Sequence, residues 1–411
     1  MTQTATPRPD AVVSPAAEPL SILHVDTEHA WGGGQAQLVE LCRYLKQRGH
    51  QQLVACPPDA VLRTVLQAEG IAACDLSARN DLDLHAAWRL RRLLRAHDFA
   101  IVHFHTARAH SLTPWLPRRH GRRARFVVSR LMDYRPHWRP RVHYLYNRCV
   151  DGVIAISQAI VDVLRAAGVD AARVRLIYLG IDCSPFDDIV AQREAVRREW
   201  GAMAEDLVIF TAAVLTPRKG HAVLLDAFAQ LLREGRRVRW VICGTGPLRE
   251  TLERRAQELD VARAVTFTGF SAAVPRLLAG AEVFVLPSLY EGLGIAAIEA
   301  MAAGRPVIAS RVGGLAEIVV DGETGILVPV GDAAALAAAI RRVAADPAWA
   351  HAAGQRGRTR VLARFTSVAM AQAVEAYYYE LLGRGAWSLR TTTEPPRSGI
   401  SIRHSGLSAK N

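Results

Sequence analysis

From Ser21 onward the chain alternates short apolar runs with longer segments of helical periodicity. In the first half the runs are Ile22–Val25, Leu53–Ala55, Ile101–Phe104, Phe126–Ser129, Val153–Ile156 and Arg175–Ile177. A short run without polar alternation is the pattern of a strand buried on both faces. Such runs, spaced by helical stretches, predict βαβ units and a parallel sheet. Gly180–Asp188, GIDCSPFDD, breaks the rhythm with Gly and Pro and reads as a linker. The pattern restarts at Leu207–Val214 and continues through Arg239–Cys243, Val265–Thr268, Val283–Leu286, Val307–Ala309 and Ile326–Val328. The expected class is α/β, with two Rossmann-like halves joined near 180–200. Halves of this kind that face each other leave a cleft at the carboxyl ends of both sheets, where ligands bind.

The ends differ in composition. Residues 1–18 are rich in Pro, Ala and Thr, and residues 384–411 in Ser, Thr, Gly, Pro and Arg. Both compositions predict disorder. The 411 residues between and including them are enough for two domains, each with its own core. The first residues show no basic stretch followed by an apolar one, so no signal peptide is expected. No apolar run approaches the ~18 residues that span a bilayer. Cys42, Cys56, Cys74, Cys149, Cys183 and Cys243 are scattered, with no C-x-x-C pair. That spacing predicts reduced thiols in a cytoplasmic chain rather than disulfides or a zinc site.

Charge adds a partner class. Lys and Arg number 51 against 39 Asp and Glu, a formal net charge of +12. The excess suits an anionic partner: a nucleotide diphosphate, an anionic lipid surface or nucleic acid. It concentrates in Arg118–Arg148, where ten arginines face one acid, Asp133, with Tyr134, Trp138, Tyr144 and Tyr146 interleaved. Arginine with interfacial aromatics fits an anionic membrane surface, and equally a solvated basic face. No RNP, zinc-finger or helix-turn-helix signature accompanies it, so nucleic acid is not expected.

The densest chemistry follows Val283–Leu286. Glu291–Ala303, EGLGIAAIEAMAA, is a glycine-containing turn opening an apolar helix. Glu291 falls in the turn, and Glu299 a little over one turn into the helix. A helix N-terminus offers free N–H groups and partial positive charge. Glycines let an anion approach the backbone, and flanking carboxylates accept bonds from sugar hydroxyls. Together these parts suit a nucleotide-diphosphate sugar. Ala30–Leu45, AWGGGQAQLVELCRYL, repeats the device after the first strand. Thr216–Phe228, TPRKGHAVLLDAF, sets Arg218 and Lys219 between strand and helix, where two fixed cations neutralise developing charge. Val241–Glu250, VICGTGPLRE, carries G-x-G after a strand. As a dinucleotide fingerprint it lacks the third glycine and the acidic ribose partner. In Ile101–His110, His103 and His105 share one strand face, with His110 further on. The spacing permits a metal pair, but no third ligand of metal-site character is legible.

The Glu291–Ala303 stretch resembles the Glu-x7-Glu motif of the retaining family-4 glycosyltransferases. The resemblance extends through Pro306–Asp332, PVIASRVGGLAEIVVDGETGILVPVGD, and more loosely over the first half. It implies a GT-B architecture, with an acceptor domain over 19–185, a donor domain over 186–365 and a helix over 366–383 crossing back. It implies transfer of a hexose-type sugar from a nucleotide-diphosphate sugar to a hydroxyl of a glycan or lipid-linked acceptor. Cell-envelope glycan, lipopolysaccharide or glycolipid synthesis is the setting it suggests, with no cofactor and no metal. By the same resemblance Arg218 and Lys219 hold the β-phosphate, Glu291 the sugar hydroxyls and Glu299 the ribose. Gly292, Leu293, Gly294, Ile295 and Ala296 cradle phosphate and sugar through their backbone. Gly33 and Gly34 approach donor and acceptor, Gly244 lies near the nucleotide and Thr268–Val274 beside the base. His105 resembles the histidine that ends the fourth strand. Three departures stand out: Gln35 lies near the usual GG-x-E acid, Val214 occupies the usual Arg position, and Arg130 and Leu131 replace a second histidine. Two other readings remain open here: a nicotinamide-dependent oxidoreductase, and a non-catalytic nucleotide-sugar-binding protein.

Overall fold

The computed structural model describes residues 18–116, 124–131 and 139–384. The segments expected to be disordered lie, apart from Glu18 and Arg384, outside the described residues, as do 117–123 and 132–138 of the Arg-rich stretch. Seven strands build the first sheet: β1 (Ser21–Val25), β2 (Gln51–Cys56), β3 (Ala73–Asp75), β4 (Ile101–Phe104), β5 (Arg125–Arg130), β6 (Gly152–Ala155) and β7 (Val174–Leu176), in the order β3-β2-β1-β4-β5-β6-β7. Six build the second: β8 (Leu207–Ala212), β9 (Val238–Cys243), β10 (Val265–Gly269), β11 (Val283–Leu286), β12 (Val307–Ser310) and β13 (Gly325–Val328), in the order β10-β9-β8-β11-β12-β13. All pairings are parallel. Two doubly wound, Rossmann-like sheets covered by helices are the GT-B arrangement that the apolar rhythm and the resemblance anticipate.

The central strands read as unbroken apolar runs because helices cover both faces. β4, β6, β11, β12 and β13 are buried along their whole length. The apolar pattern misses β3. Its three residues, ACD, sit at the sheet edge, and pairing with β2 from Val54 to Cys56 holds them. Leu207–Val214 ends early as a strand, at Ala212, because Val214 turns outward and is exposed.

Strand order reverses between β1 and β4 in one sheet and between β8 and β11 in the other. At each reversal the following loops diverge and leave a crevice at the strands' carboxyl ends. The loops after β1, β4, β8 and β11 carry the candidate residues of the sequence.

The last helix, Ser367–Leu381, starts where Thr366 Oγ1 accepts from Ala369 N at 3.1 Å. Met370, Ala371, Val374, Tyr377 and Tyr378 form its buried face, and they share a cluster with Leu41 and Leu45 of helix Gly33–Gln47 and with Ile22, Ile101 and Val127 of the first sheet. Its Glu375 carboxylate is buried and accepts from Arg48 Nε (3.1 Å), His50 Nε2 (2.8 Å) and Tyr44 Oη (3.1 Å). His50 Nδ1 accepts from Leu20 N at 2.9 Å, which leaves the ring proton on Nε2 for Glu375. Burial pushes this carboxyl up, but the His50 and Arg48 bonds outweigh it and hold the pKa below its usual value.

The chain passes between the halves at Gly180–Asp188. Ile181 bridges Thr366, and a Cβ on Gly180 would stand 2.1 Å from Thr366 O, so only glycine allows this crossing. A second tie runs from Glu317, in the short helix Leu315–Ile318 of the second half. Its carboxylate accepts from Gln158 N (2.8 Å), Ala159 N (2.9 Å) and Tyr178 Oη (3.0 Å) of the first half. The two N–H groups open the helix Gln158–Ala166.

Glu375→Ala removes the acceptor shared by Arg48 and His50. Breaking a buried ion pair from one side costs about 3–5 kcal/mol. The thermal midpoint should fall by several degrees, while a shift under about one degree would show that the cluster contributes little.

Candidate active site

The turn after β8 and the turn after β11 are held together by backbone. Leu289 N donates to Arg218 O at 2.7 Å, and a Cβ on Gly220, whose φ is +69°, would lie 1.9 Å from Pro287 O. Gly220 is therefore required both by conformation and by space. This contact sets Lys219 Nζ against Glu291 Oε2 as a buried ion pair, with Ser288 Oγ also donating to that oxygen at 3.1 Å. The turn EGLG is backed by the following Gly-Gly: a Cβ on Gly314 would meet Leu293 Cα at 2.5 Å. Gly294 sits at φ +101° and opens helix Ile295–Ala302 with no side-chain cap, leaving its first N–H groups for a ligand.

Across the crevice, Gly32 opens helix Gly33–Gln47, again with no side-chain cap. A Cβ on Gly33 would stand 3.8 Å from Ile295 Cγ1, and one on Gly34 2.9 Å from Leu131 Cδ1. Behind the loop Gln35 Nε2 donates to Asp26 Oδ2 at 3.0 Å, and burial pushes the Asp26 carboxyl up to about 6. Asp26 is thus a buried acid behind the glycine loop, while Glu28 is the acid of this loop that lines the cleft.

The two sides enclose a cleft of about 730 Å³. Gly33, Gly34, His105, Arg218, Lys219, Glu291, Leu293, Gly294, Ile295 and Ala296 line it. Gly292, Gly244 and Glu299 do not. Gly292 supports Gly314 from beneath the turn. Gly244, at φ +147°, packs where a Cβ would strike Ala213 O at 2.0 Å, and Gly246, at φ +156°, packs against Leu215 in the same way. The G-x-G is therefore explained by loop packing. Glu299 is half-buried as a residue, but its carboxyl lies deep enough that burial pushes it up to about 7. It lies close enough to the β9 end to raise the Cys243 thiol pKa, after the larger effect of burial.

The sequence reading did not assign Arg130, His110 and Tyr146, which also line the cleft. Arg130, at the end of β5, is buried and donates to Tyr146 Oη at 3.4 Å. Tyr146 packs edge-on against His110, with centroids 4.5 Å apart, so it is a cleft residue and not an exposed interfacial aromatic. The histidine pair of β4 is also larger than expected. His24 of β1 joins His103 and His105, one nitrogen of each lying within 4.8 Å of the others. By distance the three could serve as metal ligands. In the structure four of their six ring nitrogens are hydrogen-bonded: His24 Nδ1 with His105 Nε2 (3.0 Å), and the two of His103 with Tyr378 Oη (2.7 Å) and Ser129 Oγ (2.8 Å).

Residues 192–360 match the family described as glycosyl transferases group 1, and residues 31–185 match glycosyltransferase family 4. The chain is 34% identical over 287 residues to the GDP-mannose-dependent alpha-(1-6)-phosphatidylinositol monomannoside mannosyltransferase of Mycolicibacterium smegmatis, covering 66% of this chain and 74% of that one. The chain belongs to the group 1 glycosyltransferases. A second relative of this glycosyltransferase is the lipopolysaccharide core biosynthesis glycosyltransferase LpsD of Rhizobium meliloti, 28% identical over 88% of this chain and 97% of that one. Its fold is shared with Anabaena Alr3699/HepE in complex with UDP-glucose, at a TM-score of 0.77 and 23% identity, over 88% of this chain and all of that one. Membership sets aside the nicotinamide-dependent reading.

The raised Glu299 pKa fixes a sign. Its folded value of about 7 lies above the ordinary 4.5, so the folded protein binds this proton more readily than the unfolded chain. The stability it contributes is therefore lost as pH rises from about 4.5 through about 7. If Glu299 takes the ribose, as the resemblance implies, its ionised carboxylate bonds the hydroxyls best, and free-nucleotide affinity should rise between about pH 6 and 8. Calorimetry on Glu299→Gln reads the difference. An unchanged pH slope in the variant would remove Glu299 from the nucleotide site.

Proposed function

We propose that this glycosyltransferase moves a hexose-type sugar from a nucleotide-diphosphate sugar to a hydroxyl of a glycan or lipid-linked acceptor, with retention, in cell-envelope synthesis. The observation that carries the reading is the meeting of Lys219, Arg218 and Glu291 with two uncapped, glycine-opened helix N-termini in one cleft. Cations and free N–H groups suit a diphosphate, and a carboxylate beside them suits sugar hydroxyls. In this reading 19–185 with the returning 366–383 helix serves the acceptor, and 186–365 the donor.

Lys219 and Arg218 neutralise the β-phosphate as the glycosidic bond breaks, and Glu291 orients the sugar. Glu299, near the β9 end, takes the ribose, and Thr268–Val274 flanks the base. His105 faces the reacting sugar from the acceptor side. No step asks for a metal. The leaving diphosphate accepts the acceptor's proton on the same sugar face, which preserves the anomeric configuration. Catalysis is then positional and electrostatic. The test is transfer from UDP-, GDP- and ADP-sugars to lipid-linked and glycan acceptors, with the product anomer read by NMR. Donor binding without transfer or hydrolysis would leave a nucleotide-sugar-binding protein instead.

Lys219→Ala should cut turnover by roughly 10²–10³, the usual loss for one donor to developing charge. Arg218→Ala should match it if Arg218 does the work of the Arg absent at Val214, and wild-type kinetics would remove Arg218 from the site. Glu291→Gln should lower kcat, whereas Glu299→Gln should raise KM roughly ten- to a hundredfold. Interchanged signatures would reverse these two assignments.

The acceptor side also supports a membrane partner. Leu82, Leu84, Trp88, Trp115 and Tyr144 are exposed apolar side chains of the first half, Trp88 at 55%. Arg92 lies over the Trp88 ring, and helix Leu84–Ala96 also exposes Arg89 and Arg95. Arg141 ties the region to Asp81 at 3.0 Å. Among the described residues no helix is long and apolar enough to cross a membrane. Tryptophan with arginine on one face suits the interfacial zone of an anionic bilayer on its cytoplasmic side. Co-sedimentation with vesicles should rise with anionic lipid, fall with salt and drop in Trp88→Ala/Trp115→Ala. Binding indifferent to all three would overturn the assignment.

A further inference from the structure

His24 and His103 are register partners on adjacent strands, and His105 lies two residues beyond His103. All three side chains therefore project from the same sheet face. All are buried, and His105 alone reaches the cleft. Between His24 Nδ1 and His105 Nε2, 3.0 Å apart, there is room for one proton. Which ring carries it decides what His105 presents to a substrate.

The neighbours of His24 answer this. Its other nitrogen, Nε2, is fully buried and makes no hydrogen bond of good geometry among the described residues. Gln52, on the neighbouring strand β2, acts on the His24 imidazole and favours its protonated form, and the Gln52 Oε1 is likewise buried without a hydrogen bond. Gln52 Nε2 is committed to Cys42 O at 3.0 Å, which fixes the amide with its oxygen as the remaining group. A carbonyl oxygen calls for a donor, so the His24 proton belongs on Nε2. A neutral imidazole protonated there has a bare Nδ1. Burial and the neighbouring histidines push His105 well below its ordinary pKa, and burial takes His24 down to about 4, so both rings are neutral near pH 7.

We infer that His24 is a positioning residue that holds His105 as the Nε2–H tautomer, so that His105 turns a bare Nδ1 lone pair to the cleft. His105 Nδ1 has no hydrogen-bond partner among the described residues and is not a buried orphan atom. His105 then accepts a hydrogen bond and cannot donate one. The substrate group opposite it must be a hydroxyl that donates, and a fluorine or ether oxygen at that position is rejected. This deepens the transfer reading and rests on it for the word substrate. The tautomer itself does not depend on activity.

The experiment joins a spectroscopic and a kinetic arm. In the full chain with ¹⁵N-labelled histidine, long-range proton–nitrogen correlation should show His105 in the neutral Nε2–H pattern, assigned by its loss in His105→Gln. An Nδ1–H pattern would overturn the inference whatever the enzyme transfers. His24→Asn keeps an acceptor oxygen where Nδ1 stood, and His24→Leu removes it. Turnover should fall roughly ten- to a hundredfold in His24→Leu and stay within about threefold in His24→Asn. Equal loss in both would mean that His24 only fills space, which also overturns the inference. Gln52→Leu removes the acceptor without touching either ring and should let the His105 tautomer mix. An unchanged spectrum there would contradict the chain of reasoning from Gln52.

Discussion

The cleft is organised by one buried charge pair, Lys219 with Glu291. Taking an ammonium and a carboxylate out of water costs several kcal/mol each, and their mutual attraction offsets this only when geometry is enforced. Here the enforcement is steric and by backbone hydrogen bond. Gly220 lies against the Pro287 carbonyl, and Arg218 O receives Leu289 N, so the two turns cannot separate without losing the pair. Both turns follow neighbouring strands, β8 and β11, and the reversal of strand order there opens the space that they line. In the proposed reading, a donor diphosphate entering this space meets a cation already partly desolvated and already aimed. Little reorganisation is then needed when charge develops.

Much of this was legible along the chain, for a physical reason. Strands buried on both faces must be apolar throughout, so Ile101–Phe104 and Val283–Leu286 stand out from sequence at their full extent. The glycine turns are legible because only glycine tolerates such backbone and such proximity. β3 was not legible, since a three-residue edge strand owes its existence to its neighbour. Val214 looked like strand and is instead exposed.

What stayed hidden depends on strand order. His24 is a single histidine inside an apolar run, and nothing local distinguishes it from a core residue. It becomes part of a cluster only because β1 lies beside β4, eighty residues away in the chain. Arg130, His110 and Tyr146 meet for the same reason, drawn together from three separate elements. Gly244 shows the converse. Its motif suggested a ligand loop, yet its glycine character is accounted for by Ala213.

Glu317 closes the Gly-Gly segment that backs the turn, but its carboxylate belongs sterically to the other half, where it caps Gln158 and Ala159. Separating the halves would uncover both a helix N-terminus and its counter-charge. Hydrogen bonds to a charged group contribute about 1.5–3 kcal/mol each, softened where water replaces them. One such bond alone would hold a parted arrangement to roughly 0.5–10% of molecules, and the three together to far less. Any parting of the halves must therefore break the three bonds of this one acid, so the firmness of the joint is set in part by a side chain that does not line the cleft.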